Sequence, residues 1–290
     1  MQKDKWLFEI SPKNNLLDLN LKEVWQYKDL LMLFVKRDVV TLYKQTILGP
    51  LWYLIQPLFT AIIFTLVFNN IAGISTGEIP SFLFNLAGVT TWNYFKECLT
   101  ATSDTFKKNE AIFGKVYFPR VIIPMSIVVS NLLKFGIQIF IFICFYLYYV
   151  FLGYQIAPNI YILFFPILVL AMGMIGLGLG MIISSMVTKY RDLTFLVAFG
   201  VQLLMYLSAV MYPLDLMREK LINIEKGTDY SWIVDLNPLA HLIEFGRFII
   251  LNDGNYSLFG IIYTSIFTIV VFFVGLLIFN KTEKTFIDTI

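Results

Sequence analysis

Long apolar runs constrain this chain more than any other feature of its sequence. Six of them lie at about residues 51–69, 80–101, 121–152, 158–185, 193–213 and 257–279. An α-helix rises 1.5 Å per residue, so about 20 apolar residues cross a hydrocarbon core about 30 Å thick. Because backbone inside a bilayer must satisfy its own hydrogen bonds, these runs favour helices. The sequence therefore predicts an all-α integral membrane protein with six transmembrane helices.

Basic residues indicate how these helices are oriented. Only 14% of the 290 residues are charged, against roughly 25% in soluble proteins. Most of the 22 Lys and Arg residues lie before span one, between spans two and three, between spans four and five, or after span six. Cytoplasmic loops of membrane proteins carry such an excess of positive charge. The sequence predicts that both termini are cytoplasmic.

Two adjacent residues mark the start of the membrane domain. Gly49 permits unusual backbone dihedrals, and Pro50 removes a backbone donor, so the pair predicts a corner in the chain. Before it, residues 1–48 form a cytoplasmic segment whose second half is predicted to be an amphipathic helix in the membrane interface. After it, residues 49–290 form the transmembrane domain.

The predicted interface helix has an apolar face and a polar face at helical spacing. Leu30, Leu33 and Phe34 interrupt the polar face, either without meaning or as a contact for a partner protein. The apolar face is expected to carry Leu21, Val24, Trp25, Met32, Val35, Val39, Leu42 and Tyr43.

The long connection between spans five and six contains two further helical stretches, LDLMREKLINIEK and LAHLIEFGRFII. Each is too short to cross a bilayer but suits a re-entrant or outer-surface helix. We therefore expect a structured outer mouth with short helices at about residues 214–250. Within it, His241, Glu244 and Arg247 share a helical face. We interpret them as a polar stripe on an outer-surface helix rather than a metal or acid–base site.

No enzyme motif is recognisable in the chain. A P-loop is absent, because the one Gly-Lys pair, Gly114-Lys115, is followed by Val116. No catalytic, cofactor-binding or metal-binding residue and no nucleic-acid partner is predicted. A membrane-embedded enzyme acting on polyprenyl-linked sugars is an alternative, but it needs acids, His or Arg clustered near one membrane face. The glycines within span four indicate close helix packing instead of a nucleotide site: Gly173, Gly176, Gly178 and Gly180.

Three spans carry hydrogen-bonding side chains on one face. An unpaired amide in hydrocarbon is costly, so a Gln in a span faces a partner group or a wet cavity. The stripe of span three, Asn131, Lys134 and Gln138, is interpreted as a helix–helix contact. The other two stripes combine amides with aromatic rings. They consist of Trp52, Gln56 and Phe59 in span one and Phe195, Phe199, Gln202 and Tyr206 in span five.

The connection between spans two and three, TSDTFKKNEAIFGKVYFPR, predicts a short helix that Ser103 or Asp104 can cap. Its aromatic side chains offer apolar contacts, while its lysines keep the remainder solvated. The connection between spans four and five is the short loop VTKYRD. A docking role for both loops and simple anchoring by positive charge are equally compatible with these residues.

Several stretches together resemble one known family. They are LGPLWYLIQPLFTAIIFTLVF, FKKNEAIFGKVYFPRVIIP, KYRDL, NPLAHLIEFGR and FNKTEKTFIDTI, and the resemblance covers about residues 25–290. The chain is similar to the transmembrane permease subunits of ABC-2 type exporters, the type V exporter fold, and in particular to exporters of O-antigen and teichoic acid polysaccharides. An ABC-2 exporter of a drug or another lipid is the alternative within the same fold.

The resemblance implies a homodimer in the bacterial cytoplasmic (inner) membrane, bound to two copies of a separate ABC ATPase that holds ATP and Mg. It implies export of lipid-linked polysaccharide through a channel lined by the ring-and-amide stripes of spans one and five. The helices at 214–250 would form the outer gate, and the amphipathic helix would contact both ATPase and lipid. Coupling to the ATPase would use a helix at about 104–117 and a gate loop, with Asp104, Phe106, Lys107, Phe113 and Lys115 in the helix and Tyr190, Arg191 and Asp192 in the loop.

Overall fold

The computed structural model describes residues 21–44, 48–113, 115–116, 118–222, 230–254 and 256–286. These residues contain α-helices, short 3₁₀ turns and one π-helical turn, and they contain no strand. Parts of the predicted interface segment (1–20), coupling helix (114 and 117), outer helices (223–229) and closing motif (287–290) lie outside the described residues. The helices are α1 (Leu21–Gln26), α2 (Lys28–Tyr43), α3 (Trp52–Phe64), α4 (Ser81–Ser103), α5 (Thr105–Phe113), α6 (Ile122–Phe151), α7 (Phe165–Val187), α8 (Leu193–Leu207), α9 (Leu214–Ile222), α10 (Trp232–Asp235), α11 (Pro238–Leu251) and α12 (Leu258–Phe286).

Within the described residues, four helical segments are long and apolar enough to cross a membrane. They are Trp52–Ile71, Ile122–Phe151, Ile160–Val187 and Leu258–Glu283. These segments coincide with predicted spans one, three, four and six, so the all-helical membrane fold is confirmed at this level. α4 is long but contains Lys96 and Glu97. α8 has 15 residues, about 22 Å of helix.

The helix of predicted span five ends earlier than expected. We expected the span to run to residue 213, but α8 ends at Leu207. Ala209 then takes a left-handed conformation with φ 51°, which a non-glycine residue rarely adopts and which cannot continue a right-handed helix. Residues 208–213 therefore run as non-helical backbone, and their carbonyl groups are available to other partners.

α4 is the central helix of the structure. It packs against α3, α6, α7 and α11, and most of its side chains are buried. α7 packs between α4 and α12, and α11 lies against all three of these helices. Trp92 and Phe95 of α4 and Met172 and Ile175 of α7 are at the centre of the largest apolar cluster. The polar composition of α4 is explained by this position, because its polar groups meet protein rather than lipid.

The glycines of α7 allow its two neighbours to approach closely, as predicted. Gly176 and Gly180 face Cys98 and Thr102 of α4. Gly178 faces the other neighbour, α12, where a Cβ added to it would lie 2.7 Å from the carbonyl oxygen of Val271. That distance is too short for a real contact, so even a methyl group must push the helices apart.

Gly178→Ala is expected to lower the free energy of unfolding by about 1–3 kcal/mol, because the added methyl group overfills a backbone-to-backbone contact. Gly136→Ala on α6 is the matched control, since a Cβ there meets nothing within 4 Å. It should leave stability unchanged or raise it by about 0.5–1 kcal/mol, the usual gain from Gly to Ala in a helix. Thermal unfolding in detergent measures both; equal unfolding midpoints would contradict the packing argument.

The packing of the N-terminal helices contradicts both alternatives stated above for Leu30 and Phe34. Both side chains contact the chain's own core, where Phe34 is buried and its ring lies 5.8 Å from that of Phe118. These two residues are therefore neither without meaning nor reserved for a partner protein. Leu33 is 59% exposed, so a partner contact stays a prediction for that residue. Trp25 and Met32 of the expected apolar face are exposed. Gly49 has φ 48° at the start of a 3₁₀ turn that leads into α3, which confirms the unusual dihedral predicted for it.

An aromatic cluster joins several elements at one end of the structure. Phe34 of α2, Phe106 of α5 and Phe279 of α12 belong to it. The Phe106 and Phe279 rings stack with centroids 4.6 Å apart. Arg120, just before α6, donates to the carbonyl oxygen of Glu283 at 2.8 Å. The N-terminal helices, the connection after α4 and the end of α12 therefore meet at the same end.

Candidate functional site

The three ring-and-amide residues of α3 lie on its outward side. Trp52, Gln56 and Phe59 are all exposed, and the Phe59 side chain retains 61% of its accessible surface. The inward side of α3 carries three buried residues, Pro57, Ala61 and Phe64. α3 therefore packs against α4 and α6 by its inward side, while the stripe keeps an exposed surface.

α8 has the same asymmetry. Its four stripe residues are exposed, and Phe195 keeps 79% of its accessible surface. Val201 is the one buried residue among the described positions of the helix, and it joins the central apolar cluster. All seven predicted channel residues are thus on free surfaces of this subunit, where rings and amides are available to a ligand, a lipid or a second copy.

The polar stripe of α6 faces α4, which confirms its interpretation as a helix contact. The Lys134 ammonium lies 3.8 Å from a carboxylate oxygen of Glu97 and 5.2 Å from the centre of the Tyr53 ring. The amide of Asn131 donates to the Cys98 sulfur at 3.9 Å. These groups form a small polar cleft that also includes Gln56. The Gln56 amide therefore has polar neighbours on its own subunit as well as an exposed side.

The predicted coupling helix is shorter than its expected range of 104–117. α5 runs from Thr105 to Phe113, and Asp104 occupies the junction with α4. The Asp104 carboxylate forms an ion pair with Lys108, whose Nζ lies 3.0 Å from Asp104 Oδ2. Phe106 and Phe113, expected as surface contacts, are instead buried, at 1% and 4% exposure. They hold α5 onto the bundle, because burying an apolar ring in the aromatic cluster is more favourable in free energy than exposing it to water.

The exposed part of the coupling region is charged. Lys107 and Lys115 are exposed, and so are the three gate-loop residues Tyr190, Arg191 and Asp192. α5 packs against α7 close to that loop, and the Phe106 N–H donates to Ser184 Oγ at 3.4 Å. The structure therefore brings the predicted coupling helix and the predicted gate loop to the same end of the bundle.

The polar stripe of α11 is buried, contrary to the outer-surface position we expected for it. His241, Glu244 and Arg247 are 7%, 4% and 1% exposed. His241 Nε2 lies 2.9 Å from the carbonyl oxygen of Asp235. Glu244 Oε2 lies 3.4 Å from Arg247 Nη1. The stripe thus finds partners within the protein, as most buried polar groups do, and Arg247 Nε is the buried atom of the stripe that has no hydrogen-bond partner among the described residues.

Arg247 also reaches the non-helical backbone after α8. Its Nη1 donates to the carbonyl oxygen of Ala209 at 2.8 Å and to that of Tyr212 at 3.4 Å, and its Nη2 donates to that of Val210. Burial lowers the pKa of Arg247 to about 10, and the Glu244 carboxylate opposes this shift. The guanidinium therefore remains charged at pH 7.

Sequence reasoning missed the contacts of Arg247, although one signal was present. Arginine is rarely buried unless it is paired. Arg247 stands in the otherwise largely apolar stretch LAHLIEFGRFII, which calls for acceptors nearby. Those acceptors are backbone carbonyls, which no side-chain pattern reveals. Among the described residues, no group of three or more His, Cys, Asp or Glu side chains is arranged to hold a metal ion.

Comparisons with known proteins cover most of the chain. A family model described as ABC-2 type transporter matches residues 29–251. The O-antigen export system permease protein RfbA of Klebsiella pneumoniae is 30% identical over 263 residues, covering 90% of this chain and 94% of that protein. The protein of the same name from Myxococcus xanthus is 25% identical over 223 residues, covering 77% and 80%. The polysialic acid transport protein KpsM of Escherichia coli is 21% identical over 256 residues, covering 87% and 93%. The family indicated by the sequence motifs is thereby confirmed, and this chain belongs to the ABC-2 type transporter family.

Proposed function

We propose that this chain is the membrane subunit of an ATP-driven exporter that moves lipid-linked polysaccharide out of the cytoplasm. Two copies form the channel, and a separate ABC ATPase, in two copies, supplies ATP hydrolysis. The relatives support the cargo class, since their names refer to O-antigen export and polysialic acid transport. The observation that carries the proposal is the exposure of all seven ring-and-amide residues on α3 and α8.

Six crossings follow if α4 and α8 also span the membrane. The 23 residues of α4 extend about 35 Å, enough for the hydrocarbon core, and its Glu97 lies 3.8 Å from the Lys134 ammonium of α6. α8 reaches about 22 Å, and the non-helical residues after it complete the path, because irregular backbone is tolerated at membrane depth when protein surrounds it. With the basic loops inside, both termini are cytoplasmic and α9 to α11 lie toward the outer side as gate elements.

The chemistry of a glycan suits a channel of this composition. Each sugar carries several hydroxyl groups, and removing their water without replacement costs several kcal/mol per group, so a glycan does not cross lipid unaided. Amide and phenol groups can replace some of that water, and aromatic rings can stack on the apolar faces of the sugars. Many weak sites along the channel let the polymer advance, because none holds a sugar unit tightly.

The end that carries α5 and the gate loop is proposed to dock on the ATPase. The exposed Lys107, Lys115 and Arg191 give this surface positive charge, while Phe106 and Phe113 hold it rigidly to the bundle. Complementary charge steers association and fixes register at such interfaces. In this arrangement, ATP-driven movement of the partner is transmitted through α5 to α4 and α7.

Reconstitution tests the proposal directly. The chain is purified with its ABC ATPase partner, placed in vesicles, and supplied with lipid-linked polymer carrying a labelled terminal sugar. We expect ATP-dependent protection of the label inside inverted vesicles, and none with the chain alone. Transport of a drug or simple lipid with no transport of polymer would reassign the cargo. Turnover of lipid-linked sugar by the isolated chain would indicate an enzyme.

Reversing charge at the proposed docking surface should uncouple the two proteins. Lys107→Glu combined with Lys115→Glu is expected to weaken ATPase binding by about tenfold or more, since like charges facing each other across an interface cost several kcal/mol. The unfolding midpoint should not change, because both side chains are exposed. Lys220→Glu, at an exposed position of α9 on the proposed outer side, is the matched control. Copurification and substrate-stimulated ATP hydrolysis measure the effect, and wild-type values for the double variant would exclude this docking surface.

A further inference from the structure

α8 ends at a defined residue, Leu207, and does not fray. The non-helical residues 208–213 that follow it are called the break below. The last four carbonyls of a helix lack partners within it. Here each has one: Leu204 accepts from Ser208 Oγ at 2.7 Å, Met205 from the Ser208 N–H at 3.3 Å, Tyr206 from the Tyr212 hydroxyl, and Leu207 from Asn237 Nδ2 at 3.0 Å. The helix therefore stops at a defined residue, because groups of the break and of Asn237, the N-cap of α11, donate hydrogen bonds to its last carbonyls.

Arg247 donates hydrogen bonds to carbonyl groups of the break. Its guanidinium binds the oxygens of Ala209, Val210 and Tyr212 and lies 3.7 Å from the centre of the Phe84 ring on α4. A guanidinium is a planar fork whose donors have fixed directions, so one side chain can hold several carbonyls in one arrangement. Arg247 thereby connects the break, α11 and α4 at one point.

The close fit extends to the backbone of α4. A Cβ added to Gly88 would collide both with Arg247 Nη2 and with the carbonyl oxygen of Val210. The glycine therefore allows the break to lie directly against α4, with the guanidinium beside it. Any side chain at this position must separate the three elements.

We propose that Arg247 is a positioning residue for the channel wall: it fixes the end of α8 against α4 and so sets where the exposed rings and amides of α8 stand. This inference rests on the proposed function for the assignment of α8 as channel wall. Val201 is the one fully buried side chain of α8 among the described residues, and Val197, Leu204 and Met205 are partly buried against the same apolar cluster. These side chains hold one face of the helix, but none of them fixes where the helix ends. The anchor consequently decides the position of that end.

The test separates the shape of the side chain from its charge. Arg247→Lys keeps a cation beside Glu244 but replaces the fork with a single ammonium. In the purified complex, amide hydrogen exchange of residues 200–213 should become at least tenfold faster, because a single ammonium cannot hold all three carbonyls. Exchange in α7 should change by less than about twofold, since that helix is held by independent packing. Unchanged exchange at 200–213, or a uniform increase over the whole bundle, overturns the proposal.

Gly88→Ala provides a second route that leaves Arg247 in place, with Gly136→Ala as the matched control. The same local increase in exchange is expected in the first variant and not in the second. ATP-dependent polymer export should fall in Arg247→Lys and Gly88→Ala while basal ATP hydrolysis continues. Faster exchange with undiminished export overturns the link between the anchor and the channel. If the wild-type complex exports no polymer, the proposed function fails, and the exchange result still decides whether the anchor exists.

Discussion

Phe106→Asp is expected to eliminate the folded protein rather than to weaken one contact. Phe106 is 1% exposed, and its ring stacks on Phe279 with centroids 4.6 Å apart. Truncating such a ring costs about 3–5 kcal/mol, and desolvating a carboxylate in its place adds several more. The total approaches the whole stability of a typical domain, about 5–15 kcal/mol.

The measurement is the yield of monodisperse protein after extraction in detergent, together with its unfolding midpoint. Phe106→Leu keeps an apolar side chain and is the control, expected to lose only about 1 kcal/mol through altered shape. Phe113→Asp should resemble Phe106→Asp, because Phe113 is also buried, and it would therefore not be a clean uncoupling variant. A monodisperse Phe106→Asp protein with the wild-type midpoint would show that the aromatic cluster does not hold α5.

Removing two rings from the exposed face of α8 should reduce export and leave folding intact. In Phe195→Ala combined with Phe199→Ala, two stacking sites for passing sugars are lost. At about 0.5–1.5 kcal/mol per ring, taken from aromatic pairs, the rate of polymer transport should fall about tenfold. Both side chains are exposed, at 79% and 62%, so little packing is lost.

The control for this prediction is Phe140→Ala, because Phe140 is 68% exposed but lies on α6, outside the proposed channel. Initial rates of polymer export in vesicles, normalised to ATPase bound, measure the effect. Unfolding midpoints of all three proteins should agree. Equal export by the α8 double variant and the α6 control would place the glycan path elsewhere.

Several features of the fold followed from the sequence because they depend on local or periodic patterns. Apolar length predicted the spans that coincide with α3, α6, α7 and α12. Glycine spacing predicted the close packing of α7, and Gly49 takes the unusual dihedral predicted for it before α3. The short helices α9 and α11 were also expected, since their length and composition are visible in a dozen residues.

The tertiary structure decided which side of each element faces inward and where α8 ends. Phe34 and Phe106 have the sequence signature of surface contacts but are buried, because elements far apart in the chain meet around them. Arg247 and the carbonyl of Ala209 are 38 residues apart, and backbone carbonyls leave no trace in a residue pattern. The sequence by itself determined which segments suit the membrane, since hydrophobicity and length are properties of a segment. Only the folded chain determined their contacts, since each contact depends on the position of a second segment.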